Sequence, residues 1–117
     1  MDWQEWARRL EGFAEEREWE RFHSPKNLAV ALSVEAAELV EPFQWMGEAE
    51  SYELSPGQRA AVAEEIADVQ LYLIRLADRL GIDLEEALEA KFARNAEKYP
   101  ADRVRGSARK YTEYGEK

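Results

Sequence analysis

Residues 33–45 of this 117-residue chain read SVEAAELVEPFQW, and residues 63–72 read AEEIADVQLY. The first stretch carries Glu35, Glu38 and Glu41 at every third position. The second carries Glu65 and Asp68 three apart, with Tyr72 four further on. Steps of three and four return to one side of an α-helix about a turn higher. The surroundings of these acids are nevertheless oily. Leu28 to Leu32 precede the first set, and Val62, Ile66, Val69, Leu71, Leu73, Ile74 and Leu76 surround the second. A surface helix shows one apolar stripe opposite a polar face, whereas these residues point in nearly every direction. Two helices that need cover on all sides therefore each carry a pair of carboxylates. As antiparallel neighbours they would aim Glu35, Glu38, Glu65 and Asp68 at one point.

Outward from that pair, the pattern is helical throughout. Trp3, Trp6, Leu10 and Phe13 predict a first helix that starts after Asp2 and runs to about Trp19 or Phe22. Ser24-Pro25 reads as a cap with proline at the first helical position, which opens the second helix. Pro42 lacks an amide proton and crowds the carbonyl of Glu38, so that helix kinks or ends near residue 41. Residues 46–54 read as an acidic surface loop. Ser55 and Gln58 form a capping box with Pro56 inside it, and the third helix runs to Leu80, before Gly81. Asp83 and Glu86 read as another capping box for a fourth helix, which ends near Tyr99. A polar, basic tail follows over 101–117. The expected fold is an all-α, four-helix bundle, with residues 1–117 as a single domain.

The bulk composition narrows the function. Hydrophobic residues make up 45% and charged residues 35%, as in a folded helical protein rather than a disordered one. No apolar run is long enough for a membrane span and no leader is evident, so the cytoplasm is the expected location. Cysteine is absent, which removes disulfides and thiolate metal sites. A net charge of −9 argues against nucleic acid as a partner. It also means that a phosphate-bearing ligand needs a divalent cation or a local basic patch. A 117-residue monomer has too little protein to cover both oily helices, so a homo-oligomer is expected.

Clustered carboxylates repel, by roughly 1 kcal/mol per pair in water and several times more when partly desolvated. Protonation or a cation must relieve that. An all-oxygen donor set without sulfur or imidazole selects a hard ion, Mg²⁺ or Mn²⁺. A ferritin-like di-iron site needs Glu-x-x-His on two helices. His23 is the only histidine and lies outside any such pair. Trp19 and Trp45 flank the acidic cluster in sequence and suit an aromatic clamp on a base as well as a core role. Lys91, Asn95 and Lys98 share one face of the fourth helix. With no Walker-type glycine loop, phosphate binding has to rest on metal and side chains.

These residues carry a family resemblance. Glu-x-x-Glu, 26 intervening residues, then Glu-x-x-Asp resembles the metal motif of the MazG-like all-α nucleoside triphosphate pyrophosphohydrolases. The context WERFHSPKNLAVALSVEAAELVEPFQW, then EEIADVQLYLIRLADRLGIDLEEALEAKFARNAEKYP, then ARKYTE, is similar to the dCTP pyrophosphatase branch from Trp19 to Glu113. The resemblance implies a dimer or dimer of dimers with pockets built from more than one subunit. It implies that Glu35, Glu38, Glu65 and Asp68 bind Mg²⁺. It implies that Trp19 to His23, Asn27, Trp45 and Tyr72 line a nucleotide pocket, and that Lys91, Asn95 and Lys98 contact phosphate and sugar. The implied reaction is hydrolysis of a nucleoside triphosphate, dCTP or base-modified dCTP first, to the monophosphate and pyrophosphate. Glu38 is the choice for the base, with Glu41 or Glu64 as alternatives. Two departures stand out: many relatives lack a proline at Pro42, which bears on Trp45, and residues 1–18 match less well. A dUTP-directed or broader pyrophosphohydrolase is the nearest alternative. A non-catalytic helical interaction module is the alternative from another class.

Overall fold

Capping chemistry sets the helix ends in the computed structural model, which describes residues 1–106. Helix α1 (Trp3–Glu16) begins where Asp2 Oδ1 accepts from the Glu5 amide at 3.1 Å. It stops short of the expected Trp19. Glu18 takes the left-handed conformation at φ 54°, the Trp19 amide donates to the Ala14 carbonyl at 2.9 Å, and the Glu18 amide donates to the Glu15 carbonyl at 3.1 Å. This is a Schellman turn, with a glutamate where glycine is usual. Phe13 and Trp19 pack edge to face at 5.8 Å, the apolar contact that accompanies such turns. A single 3-10 turn, Glu20–Phe22, leads to the next helix.

Helix α2 (Pro25–Val40) is capped by Ser24, whose hydroxyl accepts from the Asn27 amide. It ends one residue before the expected limit and passes into a 3-10 turn, Glu41–Phe43, as Pro42 requires. The segment read as a loop contains one helical turn, α3 (Glu48–Ser51), started by the Gly47 amide donating to Glu50 Oε1 at 3.0 Å. Helix α4 (Pro56–Arg79) carries both halves of the expected Ser55–Gln58 capping box. At its end Gly81, at φ 68°, closes a second Schellman turn through Ile82 N–H to Ala77 O at 2.9 Å. Helix α5 (Leu84–Lys98) has the Asp83 cap, and only that half of the expected box is formed. A last turn, α6 (Ala101–Val104), follows Pro100. Among the described residues there is no strand, and no helix is long and apolar enough to cross a membrane.

The chain divides into two units, Met1–Ile82 and Asp83–Lys117. In the first, α4 is the central element: it packs mainly against α2 and also against α1. Leu28 lines one cavity with Leu71 and Tyr72, while carboxylate oxygens of Glu35 and Glu38 lie within 4.8 Å of Glu65. Rising numbers on α2 thus face falling numbers on α4, and the two helices run antiparallel. The core is small: among the described residues Leu28 and Ile74 are the only large side chains at 2% exposure or less, and the other buried apolar residues are Ala7, Ala14, Val62 and Ala77. Val30, Val34 and Val40 on α2, and Ile66 on α4, stay more than half exposed.

Candidate active site

The antiparallel pairing brings the acids together. Carboxylate oxygens of Glu35, Glu38 and Glu65 lie within 4.8 Å of one another. Glu35 Oε2 and Glu65 Oε2 are buried and have no hydrogen-bond partner. A buried acceptor without a donor is costly, and natural structures satisfy nearly all of them. Asp68, one turn along α4, stands outside this three-residue set but adds its charge to both Glu35 and Glu65. Orphaned oxygens, an all-oxygen donor set and half-burial fit a hard divalent cation. The residues present therefore suit the Mg²⁺ that the motif implies.

Protons reveal the same crowding. Burial, then a hydrogen bond that the protonated Glu35 donates to Glu38, then the charges of Glu38, Asp68 and Glu65 push the Glu35 carboxyl up to about 7. Burial first, and the charges of Glu38, Asp68, Glu41 and Glu64 after it, also raise Glu65. In chelator this has a definite sign. Below the ordinary glutamate pKa both folded and unfolded chains are protonated at Glu35. Between that value and about 7 only the folded chain keeps the proton, so stability falls as pH rises through this window. Thermal melts in EDTA are expected to show a lower midpoint at pH 8 than at pH 5. Glu35→Gln should flatten that difference; an unchanged pH dependence in the variant would contradict the assignment.

Next to the acids is a cavity of about 280 Å³, bounded by Trp19, His23, Leu28, Asp68, Tyr72 and Arg75 among others. Trp19, 43% exposed, reaches it from the Schellman turn, and its ring meets His23 edge-on at 6.3 Å. Of the residues expected in a nucleotide pocket, Trp19, His23 and Tyr72 are thus brought together with Asp68. Asn27 is placed differently: its Nδ2 donates to the Phe22 carbonyl at 3.1 Å and braces the 3-10 turn. Trp45 is 87% exposed and does not line this cavity. Lys91 and Asn95 are exposed on α5, on the same helix as Lys98, in the second unit. Arg109, Lys110 and the ARKYTE segment lie outside the described residues.

Sequence reasoning missed the cations behind this wall. Arg75 is 3% exposed; its Nε donates to His23 Nδ1 at 3.1 Å and its Nη1 pairs with Glu11 at 2.7 Å. Arg79 donates to the carbonyls of His23 and Glu20, and so holds the turn that presents Trp19 and His23. The signal was present: Arg75 interrupts LYLIRLADRL as the glutamates interrupt the second helix.

An all-helical unit that sets buried, unpartnered carboxylates beside an aromatic cavity defines an acidic site compatible with a divalent cation. The chain belongs to the MazG-like family, whose model matches residues 30–114. It is 50% identical over 103 residues to human dCTP pyrophosphatase 1 and 48% identical to the rat protein of that name. Each alignment covers 86% of this chain and 61% of the relative's length, so the chain spans about three fifths of these relatives. A solved structure of a pyrophosphatase from Archaeoglobus fulgidus superposes with a TM-score of 0.78 at 43% identity, covering 83% of this chain and 91% of that one.

Proposed function

We propose that the chain is a Mg²⁺-dependent nucleoside triphosphate pyrophosphohydrolase acting on dCTP or base-modified dCTP, in the cytoplasm, as a nucleotide-pool cleaning enzyme. The observation that carries this reading is the pair of buried, unpartnered oxygens of Glu35 and Glu65 beside the Trp19–Tyr72 cavity. Names of the similar proteins support the reaction class and the base. Glu35, Glu38, Glu65 and Asp68 would hold the cation, with Mn²⁺ as a substitute. When bound, Mg²⁺ supplies charge neutralisation for phosphate oxygens and a lowered pKa for a water molecule. Glu38 then takes the water's proton, with Glu41 or Glu64 as the alternative bases, both near enough to act on Glu65 electrostatically. Trp19 and Tyr72 stack the base and keep water from it. Lys91, Asn95 and Lys98 serve the phosphates and sugar, a role that rests on the family resemblance.

The exposed valines of α2 and Ile66 of α4 support a homo-oligomer, a dimer or dimer of dimers, because such a face on two packed helices calls for cover. Trp45, fully outside its own chain's cavity, is then free to close a neighbour's pocket. Equilibrium sedimentation is expected to give the mass of two or four chains; a monomer at micromolar concentration excludes this assembly. Incubation with each common nucleoside triphosphate and Mg²⁺ should release pyrophosphate, fastest from dCTP. Release of inorganic phosphate instead would overturn the reaction type. A non-catalytic interaction module predicts no turnover, and the retained cluster of repelling carboxylates weighs against it.

A further inference from the structure

His23 is gripped from three sides. Its ring nitrogen Nδ1 accepts from Arg75 Nε at 3.1 Å, its carbonyl accepts from Arg79 Nε at 3.1 Å, and the Trp19 ring meets it edge-on at 6.3 Å. Arg75 is in turn anchored to α1, where its Nη1 donates to Glu11 Oε2 at 2.7 Å. Leu10 and Phe13, on either side of Glu11 in the sequence, are apolar walls of the cavity that His23 also lines. Stability alone does not account for this arginine. It is 3% exposed, and its Nη2 is buried without a partner. A buried ion pair can often be exchanged for well-packed apolar residues at little or no cost. What an apolar side chain at position 75 could not do is hold His23 by Nδ1.

A guanidinium only donates, so Nδ1 is the acceptor and the ring proton belongs on Nε2, across the ring from Arg75. Among the described residues Nε2 has no hydrogen-bond partner, yet it is not buried. The charged groups that act on His23 are Arg75 and Arg79 of α4, Glu11 of α1 and Glu20 of the 3-10 turn. Burial first, then the two arginines, lower its pKa against the pull of the two glutamates. To take a proton at Nδ1, His23 would have to give up Arg75. At neutral pH it is therefore a donor and not a base, which leaves proton transfer to the carboxylates.

We infer that Arg75 is a positioning residue for the nucleotide cavity: anchored by Glu11, it clamps His23 through Nδ1, so that Nε2–H is offered as a neutral donor to an acceptor atom of the bound nucleotide. In this role Arg75 touches no ligand and acts only through His23. This inference rests on the nucleotide reading above, and the test separates the two.

The chain has one histidine, so nitrogen-15 NMR of the untagged protein reports its state directly. Expected at pH 7 are a protonated Nε2, a bare Nδ1 and a scalar coupling across the hydrogen bond between Nδ1 and Arg75 Nε. Calorimetry with Mg²⁺ and dCMP, the product of the proposed reaction, reads the consequence. Arg75→Met and His23→Ala should each weaken dCMP binding about tenfold, the worth of one hydrogen bond. The double variant should bind within about threefold of His23→Ala, because a residue that acts only through His23 has nothing left to act on. A purely structural arginine would add its own loss in both backgrounds, about a hundredfold in the double variant. If Arg75→Met does not fold, Arg75→Lys takes its place in the cycle: it keeps the buried charge for Glu11 but lacks the fork that reaches two partners at once. A protonated Nδ1, a missing coupling, additive losses, or dCMP binding unaltered by the Arg75 variant each overturns the inference. A chain that binds no dCMP removes the nucleotide reading and the inference with it, whereas binding with additive losses removes only the role of Arg75.

Discussion

Glu65→Gln is expected to lower Mg²⁺-dependent pyrophosphate release at least about 100-fold while leaving the chelated protein as stable as the parent or more so. Loss of a residue that merely orients a ligand costs 10–100-fold in many metal sites, and a direct ligand should cost more. Glu65 is proposed as a direct ligand because its Oε2 is buried and unpartnered, and its carboxylate lies within 4.8 Å of oxygens from Glu35 and Glu38. Glutamine keeps the shape but removes one of the mutually repelling charges that, after burial itself, raise the Glu65 pKa. Its amide can also donate to the remaining carboxylates. Activity and metal-free stability should therefore move in opposite directions, which distinguishes a binding role from a structural one. Added Mg²⁺ should raise the melting midpoint of the parent and not of the variant. Activity retained within about tenfold, or a variant that melts well below the parent in EDTA, would remove Glu65 from the site.

Leu28→Ala should be the most damaging change outside the acids. Leu28 is 2% exposed and belongs to α2, which packs against α4, and it lines one cavity with Leu71 and Tyr72 of α4. Truncating a buried leucine costs about 2–5 kcal/mol, from lost transfer energy plus the cavity left behind. Total stability of a domain this size is on the order of 5–15 kcal/mol, and among the described residues the large fully buried side chains are Leu28 and Ile74. The melting midpoint should drop by roughly 10 °C or more, read at matched chain concentration because assembly shifts it too. Val34→Ala, at a position 51% exposed in the single chain, sets the comparison. A Leu28→Ala cost below about 1 kcal/mol would mean that the α2–α4 contact is not the core of the first unit.

Much of the fold was legible because helix ends are local chemistry. Asp2, Ser24, Ser55, Pro42 and Gly81 act on their own neighbours within four residues, and each does in the structure what its side chain or ring dictates. The end of α1 was not legible, since a glutamate holds the left-handed position and the Phe13–Trp19 contact takes the place of a sequence signal. Residues 48–51 form a turn of helix from acidic residues whose composition suggests a loop. Among site residues, Glu35, Glu38 and Glu65 were readable because carboxylates on oily helices contradict their surroundings. Arg75 broke the same rule and passed unread, because its partners His23 and Glu11 lie 52 and 64 residues away.

By itself the sequence determined the all-helical plan, the helix starts, and the two lines of acids, because periodicity and capping depend on residues a turn apart. Only the tertiary structure decided which acids converge, that Asp68 turns toward the aromatic cavity, that Asn27 braces a turn, and that Trp45 stands clear of its own chain. Those outcomes depend on the register of α2 against α4 and on the path through residues 17–24. Both are fixed by contacts between residues far apart in sequence, and burial, which gives a carboxylate or a guanidinium its chemistry, exists only once those contacts form.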